Sequence, residues 1–187
     1  MAQEDKERWD KKYQNKDIPD VPIRLIQDHA QLSPGKQALD IACGMGRHSK
    51  YLVSQGFEVE ALDISSVAIS QLQNLEHIVA KEVDLDSYIL DKEKYDLIIC
   101  VYFLKRSLFM QMIDALKPNG IIIIETFLHD PGNERAPSNP DFLLNEGELE
   151  AAFEDRCELL HIKEYEERNY QGYKSKKIQM VARKKVL

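Results

Sequence analysis

The stretch Leu39-Asp40-Ile41-Ala42-Cys43-Gly44-Met45-Gly46-Arg47-His48-Ser49 joins an apolar run to a helical pattern through a turn that carries two glycines. The apolar side extends back to Gln37, so 37–43 reads as a strand. The far side, 47–55, reads as a helix closed by Gly56 as its C-terminal cap. Glycines at such a junction let a ligand approach the backbone, and the start of the helix offers free N–H groups. The dinucleotide fingerprint GxGxxG requires glycine or alanine at position 49, where Ser49 stands. Asp40, inside the strand near its C-terminal end, would repel a pyrophosphate and suit a cation. A nicotinamide-dependent oxidoreductase is therefore disfavoured.

The same alternation continues outward. EVEALDI (58–64) is a second strand, and Ser65 or Ser66 can cap a helix running to about Leu75. A weaker third strand covers 78–84. YDLIICV (95–101) is a fourth, apolar enough to be buried on both faces. A helix follows over 107–117, with Leu108, Met112, Ala115 and Leu116 at helical spacing, and Pro118-Asn119-Gly120 ends it. GIIIIETF (120–127) is the fifth strand. After a polar loop (128–145) and a short helix near 146–153, segments 158–168 and 174–184 are joined by Asn169-Tyr170-Gln171-Gly172-Tyr173. That link is too short for a parallel crossover, so an antiparallel hairpin is expected. The prediction is an α/β, Rossmann-like three-layer sandwich. Its seven-stranded, mostly parallel sheet ends in an antiparallel C-terminal hairpin. A helical cap segment over 1–36 would precede the main domain over 37–187.

Three acids fall at or near successive strand ends: Asp40, Asp63 and Asp84. All three face the edge at which open parallel sheets bind ligands. Asp63 is placed to accept from two ribose hydroxyls, and Asp84 from an adenine amine. Such a cluster is costly unless something positive or hydrogen-bonding fills it. S-adenosylmethionine supplies a sulfonium, an ammonium, a ribose diol and an adenine amine. Blander roles stay open: Asp63 as a helix cap, Asp84 as a turn acid with Asp86 as competitor, Asp40 as acceptor for its own turn.

Composition narrows the alternatives. The chain has 187 residues and a formal net charge of −7, with 43% hydrophobic and 30% charged residues. This fits one soluble domain and argues against nucleic acid as a partner. The basic stretches 174–177 and 183–185 alternate with apolar residues and read as a solvated sheet face. Cys43, Cys100 and Cys157 form no CxxC pair, so neither a metal site nor a disulfide frame is expected. No apolar run reaches bilayer length, and the first residues are too polar for a secretory signal, so no membrane partner and a cytoplasmic location are expected.

Taken together these motifs resemble the seven-stranded S-adenosylmethionine-dependent methyltransferases. LDIACGMGRHS (39–49) is similar to that family's first motif, with Ala42 in place of a glycine. EALDIS (60–65) resembles the segment holding the ribose-binding acid, and YDLIICV with LKPNGIIIIETF (116–127) resembles the fourth and fifth strands. The resemblance covers roughly 37–184 and is nearest to the small tellurite-resistance-like methyltransferases. These often place a Trp–Tyr helix ahead of the first strand, here Trp9 and Tyr13. The resemblance implies S-adenosyl-L-methionine as cofactor and S-adenosyl-L-homocysteine as product. It also implies cofactor contacts from Trp9, Tyr13, Asp40 and the turn residues Ala42, Cys43, Gly44, Gly46 and Arg47. Further contacts are implied at Asp63, Ile64, Asp84, Leu85 and Val101.

Methyl transfer is an in-line displacement, so alignment supplies much of the acceleration. A soft nucleophile, such as a thiolate or a chalcogen anion, needs no general base, whereas oxygen or nitrogen often does. The reactive space is expected past the fourth strand at 101–104, with Tyr102 the first candidate to touch substrate or the methionine part of the cofactor. Arg106 would hold an anionic acceptor, cap a helix end or pair with a surface acid, and His48 would serve as base or pocket wall. Glu125 and His129 are further candidates. Asn139-Pro140-Asp141-Phe142 falls after the fifth strand, where the Asn-Pro-Pro-Tyr motif of amino-group methyltransferases does not belong, and reads as loop. Little chain remains for a recognition domain, which favours a small-molecule acceptor. A protein or RNA substrate and a non-catalytic cofactor-binding role remain as alternatives, and the chain is expected to act as a monomer or a homodimer.

Overall fold

Aliphatic runs separated by turn residues become strands here because both faces of the sheet are covered. The computed structural model describes residues 2–15, 19–169 and 171–186. Strands β1 (Gln37–Ile41), β2 (Glu58–Asp63), β3 (Ile78–Glu82), β4 (Tyr95–Val101) and β5 (Leu116–Phe127) run parallel. β6 (Cys157–Arg168) and β7 (Lys174–Lys184) complete the sheet, in the order β3-β2-β1-β4-β5-β7-β6. β7 is antiparallel to both β5 and β6, so the closing hairpin inserts its second strand next to β5. The order reverses between β1 and β4. That switch point lies beside the glycine turn, where open sheets of this kind bind ligands.

Six helices surround the sheet among the described residues: α1 (Ala2–Asn15), α2 (Arg24–His29), α3 (Arg47–Ser54), α4 (Ser66–Ser70), α5 (Leu108–Ala115) and α6 (Glu148–Phe153). Strand periodicity divides the core in two. Leu97, Ile99 and Ile123 face the layer that holds Leu25, Leu52 and Ile69, from α2, α3 and α4. Ile98, Cys100 and Ile124 face the layer that holds Leu108 and Met112 of α5 and Phe153 of α6. The four isoleucines at 121–124 are each no more than 2% exposed. Each such burial contributes roughly 1.5–3 kcal/mol, which is why this strand is anchored so firmly between the layers.

The local differences from expectation have physical causes. α4 stops at Ser70, short of Leu75, because Leu72 turns inward beneath Gly46. β5 begins at Leu116 rather than Gly120, since Leu116 pairs with Tyr95 before the register skips to Leu97 and Ile121. Asn119, at φ +63°, carries the chain through this irregularity, so Pro118-Asn119-Gly120 kinks the strand instead of preceding it. β3 ends at Glu82, leaving Asp84 two residues beyond it. Tyr170, in the expected hairpin connection, lies outside the described residues.

The basic stretches of β7 find acids across the hairpin. Lys174 pairs with Glu166 at 2.5 Å, Lys176 with Glu164 at 3.0 Å and Arg183 with Glu158 at 3.1 Å. All three cysteines are free and buried. Among the described residues no acid, histidine and cysteine cluster suits a metal, and no helix is long and apolar enough to cross a membrane.

Candidate cofactor and acceptor site

The turn after β1 is built from left-handed backbone. Ala42 has φ +54°, Gly44 +54° and Gly46 +75°. A Cβ on Gly44 would lie 2.8 Å from the Tyr13 hydroxyl, and one on Gly46 would lie 2.4 Å from Leu72 Cδ2. Both glycines are therefore demanded by contact as well as by conformation. Ala42 holds the same conformation with a side chain, at a cost of roughly 1–2 kcal/mol.

Asp63, at the end of β2, ties this turn to the next one. Its Oδ2 accepts from Gly44 N at 2.8 Å and its Oδ1 from Ser65 N at 2.9 Å. Burial pushes its carboxyl up, and these N–H groups only partly offset the effect. Asp40 is 1% exposed and accepts from Ser49 Oγ at 2.6 Å. The residue that breaks the dinucleotide fingerprint is thus the donor to the acid that disfavours a pyrophosphate. Burial pushes Asp40 up to about 7, and the neighbouring Asp63 charge adds to the shift. Burial and the same two acids push the Cys43 thiol well up, so it stays protonated and offers no nucleophile.

α1 roofs this edge. Trp9 and Tyr13 stack with ring centroids 5.5 Å apart. Asp10 accepts from Ser66 Oγ at 3.1 Å and from Val67 N at 3.2 Å, and it also receives Ser65 Oγ, so it caps α4 from outside. Burial works against the Asp10 charge, but the hydrogen bonds from Ser65, Val67 and Ser66 outweigh it and hold the carboxyl below its usual range. Lys6 pairs with Glu82. Between α1 and the ends of β2 and β3 a cleft of about 180 Å³ is lined by Gln3, Lys6, Ile64, Glu82, Val83 and Asp84. Asp84 Oδ1 accepts from Asp86 N at 2.8 Å, so one of its oxygens serves its own turn. Leu85 and Val101 are buried beside the same edge.

Past β4 the backbone enters the left-handed region again, at Tyr102 (φ +57°). Tyr102 is 37% exposed, and its hydroxyl is engaged on two sides. It donates to Glu125 Oε1 at 2.6 Å and accepts from Lys177 Nζ at 2.9 Å. Glu125 is 2% exposed and takes a second bond from Gln179 Nε2 at 2.8 Å. Lys177 also pairs with Glu167. Burial, then the Glu125 charge, pushes the Tyr102 phenol up. Lys177 and Gln179 escape a reading of the sequence because alternating charges in β7 suggest a wet face. The register Glu125↔Gln179 and Phe127↔Lys177, set by the antiparallel pairing of β5 and β7, brings them to Glu125.

Other expected residues are engaged elsewhere. His48 is 4% exposed, and its Nε2 accepts from Ile23 N at 3.4 Å. Burial, with help from Arg47, holds it down at about 3, so it is neutral and its lone pair faces the segment before α2. Arg106 donates to Asp141 O and Leu143 O, each at 2.9 Å, and pairs with Glu148. It fastens the loop over 139–148 and is not free for an anionic acceptor. His129 is exposed. Asn139 Oδ1 accepts from Asp141 N at 3.0 Å and caps the 3-10 turn Pro140–Phe142, so that motif is a loop device. Arg47 donates weakly to Val21 O at 3.5 Å, and its guanidinium lies 5.9 Å from the Tyr102 ring.

Two buried acids, a left-handed glycine turn and an aromatic roof fit S-adenosylmethionine. Asp40 and the turn suit its cationic amino-acid end, Asp63 its ribose, and the Ile64–Asp84 cleft its base. The comparisons with known proteins agree. The family model described as tellurite resistance protein TehB matches residues 1–180. TehB of Haemophilus influenzae superposes with a TM-score of 0.76 at 25% identity, covering 96% of this chain and 67% of that one. A methyltransferase dependent on S-adenosylmethionine from Methanosarcina mazei has a TM-score of 0.69 at 19% identity, covering 89% of this chain and 100% of that one. The ubiquinone biosynthesis O-methyltransferase of Pasteurella multocida is 28% identical over 141 residues, 63% of this chain and 58% of that protein. The chain thus spans less than two thirds of the length of that curated relative. It belongs to the tellurite resistance protein TehB family, among the S-adenosylmethionine-dependent methyltransferases.

Proposed function

We propose that the chain transfers the methyl group of S-adenosylmethionine to a small-molecule acceptor at the mouth beside Tyr102. The observation that carries this is Asp40, a fully buried carboxyl under the glycine turn, with the buried Asp63 carboxyl alongside. Such a pair stays costly until a cation arrives, and a sulfonium with an ammonium is that cation. When bound, the cofactor supplies an electrophilic methyl carbon. The chain's own residues do the rest. Asp63 holds the ribose edge, and Tyr13 and Trp9 close over the turn and limit water. Tyr102, partly exposed, meets the acceptor.

Residues 1–36 act as a cap on 37–187 in this reading, the acceptor enters without a separate recognition domain, and the enzyme works in the cytoplasm as a monomer or homodimer. Incubation with S-adenosylmethionine and a panel of thiols, chalcogen oxyanions, phenols and amines tests it. Formation of S-adenosylhomocysteine that depends on one acceptor is the expected result. Tight cofactor binding with no turnover on any of them would identify a binding protein instead.

A further inference from the structure

We propose that Tyr102 and Glu125 form a proton relay that deprotonates a hydroxyl acceptor of aryl type, with Lys177 as the positioning residue; this rests on the methyl-transfer reading above. Glu125, 2% exposed, cannot itself meet an acceptor, whereas Tyr102, 37% exposed, can. The hydrogen bonds give the relay a direction. Lys177 Nζ donates to the phenol oxygen at 2.9 Å, which turns the phenol's own proton toward Glu125 Oε1 at 2.6 Å. Gln179 occupies Oε2, leaving Oε1 as the oxygen that takes a proton. Burial and the Glu125 charge keep the phenol protonated, which suits a relay and not a standing tyrosinate.

The groups around Tyr102 select the acceptor. Lys177 Nζ lies 4.6 Å from its ring centroid and the Arg47 guanidinium 5.9 Å, so two cations flank the ring. A hydroxyl gaining anionic character is stabilised beside these cations. From β6, Tyr165 is pushed up by burial and by Glu125, and Glu167 balances Lys177. Phe127, with its centroid 5.4 Å from that of Tyr102, adds an aromatic wall that suits an aryl acceptor.

The step balances. As the acceptor oxygen bonds to the methyl carbon, its O–H bond breaks and that proton passes to the Tyr102 oxygen. The phenol's former proton passes to Glu125, which ends as a neutral carboxylic acid. The electron pair of the broken S–C bond stays on sulfur, so the sulfonium and carboxylate charges vanish together.

The test uses the full chain and two matched acceptors at about pH 8: phenol, which is protonated there, and thiophenol, which is ionised. Tyr102→Phe and Glu125→Gln should each slow phenol methylation by roughly a hundredfold, the scale of general base catalysis. Their effect on thiophenol should be at least about tenfold smaller, because that acceptor has no proton to lose. Glu125→Asp should recover part of the phenol rate. Lys177→Met should lower kcat with little change in KM, and Lys177→Arg should restore it. Independently of turnover, ultraviolet difference absorbance should show a tyrosine ionisation in the ordinary tyrosine range in Glu125→Gln that is absent from the wild type and from the Tyr102→Phe, Glu125→Gln double variant. Equal losses on both acceptors, or a tyrosine titration indifferent to Glu125, overturn the relay. If neither acceptor reacts while another member of the wider panel is methylated, the aryl-hydroxyl relay is overturned and the methyl-transfer reading stands; no turnover on any acceptor overturns that reading instead.

Discussion

Lowering the pH from 7.5 to 6 should weaken S-adenosylmethionine binding roughly eightfold, because Asp40 must lose a proton before it can face a cation. Its carboxyl is pushed up to about 7 in the free protein, above the ordinary 3.8. A carboxyl that is ionised in the complex binds in proportion to its ionised fraction in the free state. That fraction is about three quarters at pH 7.5 and about one eleventh at pH 6, a difference near 1.2 kcal/mol. The cofactor's own amino group, an α-amine with pKa about 7.7–8.0, is about 60–75% protonated at pH 7.5 and almost fully so at pH 6, which offsets the Asp40 effect by less than about a factor of two. The sign is the reverse for the free protein. Its raised carboxyl contributes stability that is present below the ordinary value and lost as pH rises through about 7, so the cofactor restores most where the empty site is weakest. Titration calorimetry in two buffers of different ionisation enthalpy measures both the affinity and the proton released. Asp40→Asn should weaken binding at pH 7.5 and flatten its pH dependence. Wild-type affinity that is level from pH 6 to 7.5 with no proton release, or a slope that survives in Asp40→Asn, would refute the electrostatic basis of the site.

Three further substitutions probe the frame around that acid. Ala42→Gly should raise stability by roughly 0.5–1 kcal/mol in denaturant unfolding, since φ +54° strains alanine more than glycine loses in chain entropy. Asp63→Ala should weaken cofactor affinity by roughly 1–3 kcal/mol, and equilibrium dialysis on the folded variant gives the number. Asp10→Ala should cost roughly 0.5–2 kcal/mol in thermal unfolding, as for a lost helix cap, and should expose α1 to early proteolytic cleavage because the bonds to Ser65, Ser66 and Val67 go with it.

What could be read in advance follows the range of the interactions. β4 and β7 were legible to the residue, at 95–101 and 174–184, because aliphatic content and alternation are local signals. The glycine turn and the strand-end acids Asp40 and Asp63 were legible for the same reason. The short reach of α4 was not, since it depends on Leu72 finding space under Gly46. The partners of His48 and Arg106 were hidden too. They come from the segments before α2 and over 139–148, which carry no periodic pattern to place them. Lys177 is the sharpest case. Its neighbours in sequence, Lys174 and Lys176, pair with surface acids, while one register step turns Lys177 inward to 6% exposure beside Tyr102.

Backbone strain marks the same edge of the sheet as the acids do. Five non-glycine residues among those described have positive φ: Ala42, His77, Glu93, Tyr102 and Asn119. His77 and Glu93 enter β3 and β4, and Asn119 lies in the irregular start of β5, where the chain turns at the opposite edge. Ala42 and Tyr102 instead follow β1 and β4, the two strands at which the order reverses. A turn that needed only the left-handed conformation would be cheaper with glycine at both places. Tyr102 therefore needs its side chain. The hydrogen bonds to Glu125 and Lys177, each involving a charged partner and worth roughly 1.5–3 kcal/mol, are large enough to offset a strain of roughly 1–3 kcal/mol. The phenol is thereby held at the switch point in a pose that its own backbone resists, partly exposed and with the hydroxyl on a buried carboxylate. A tyrosine kept only for packing would have no reason to meet that cost beside the cofactor turn.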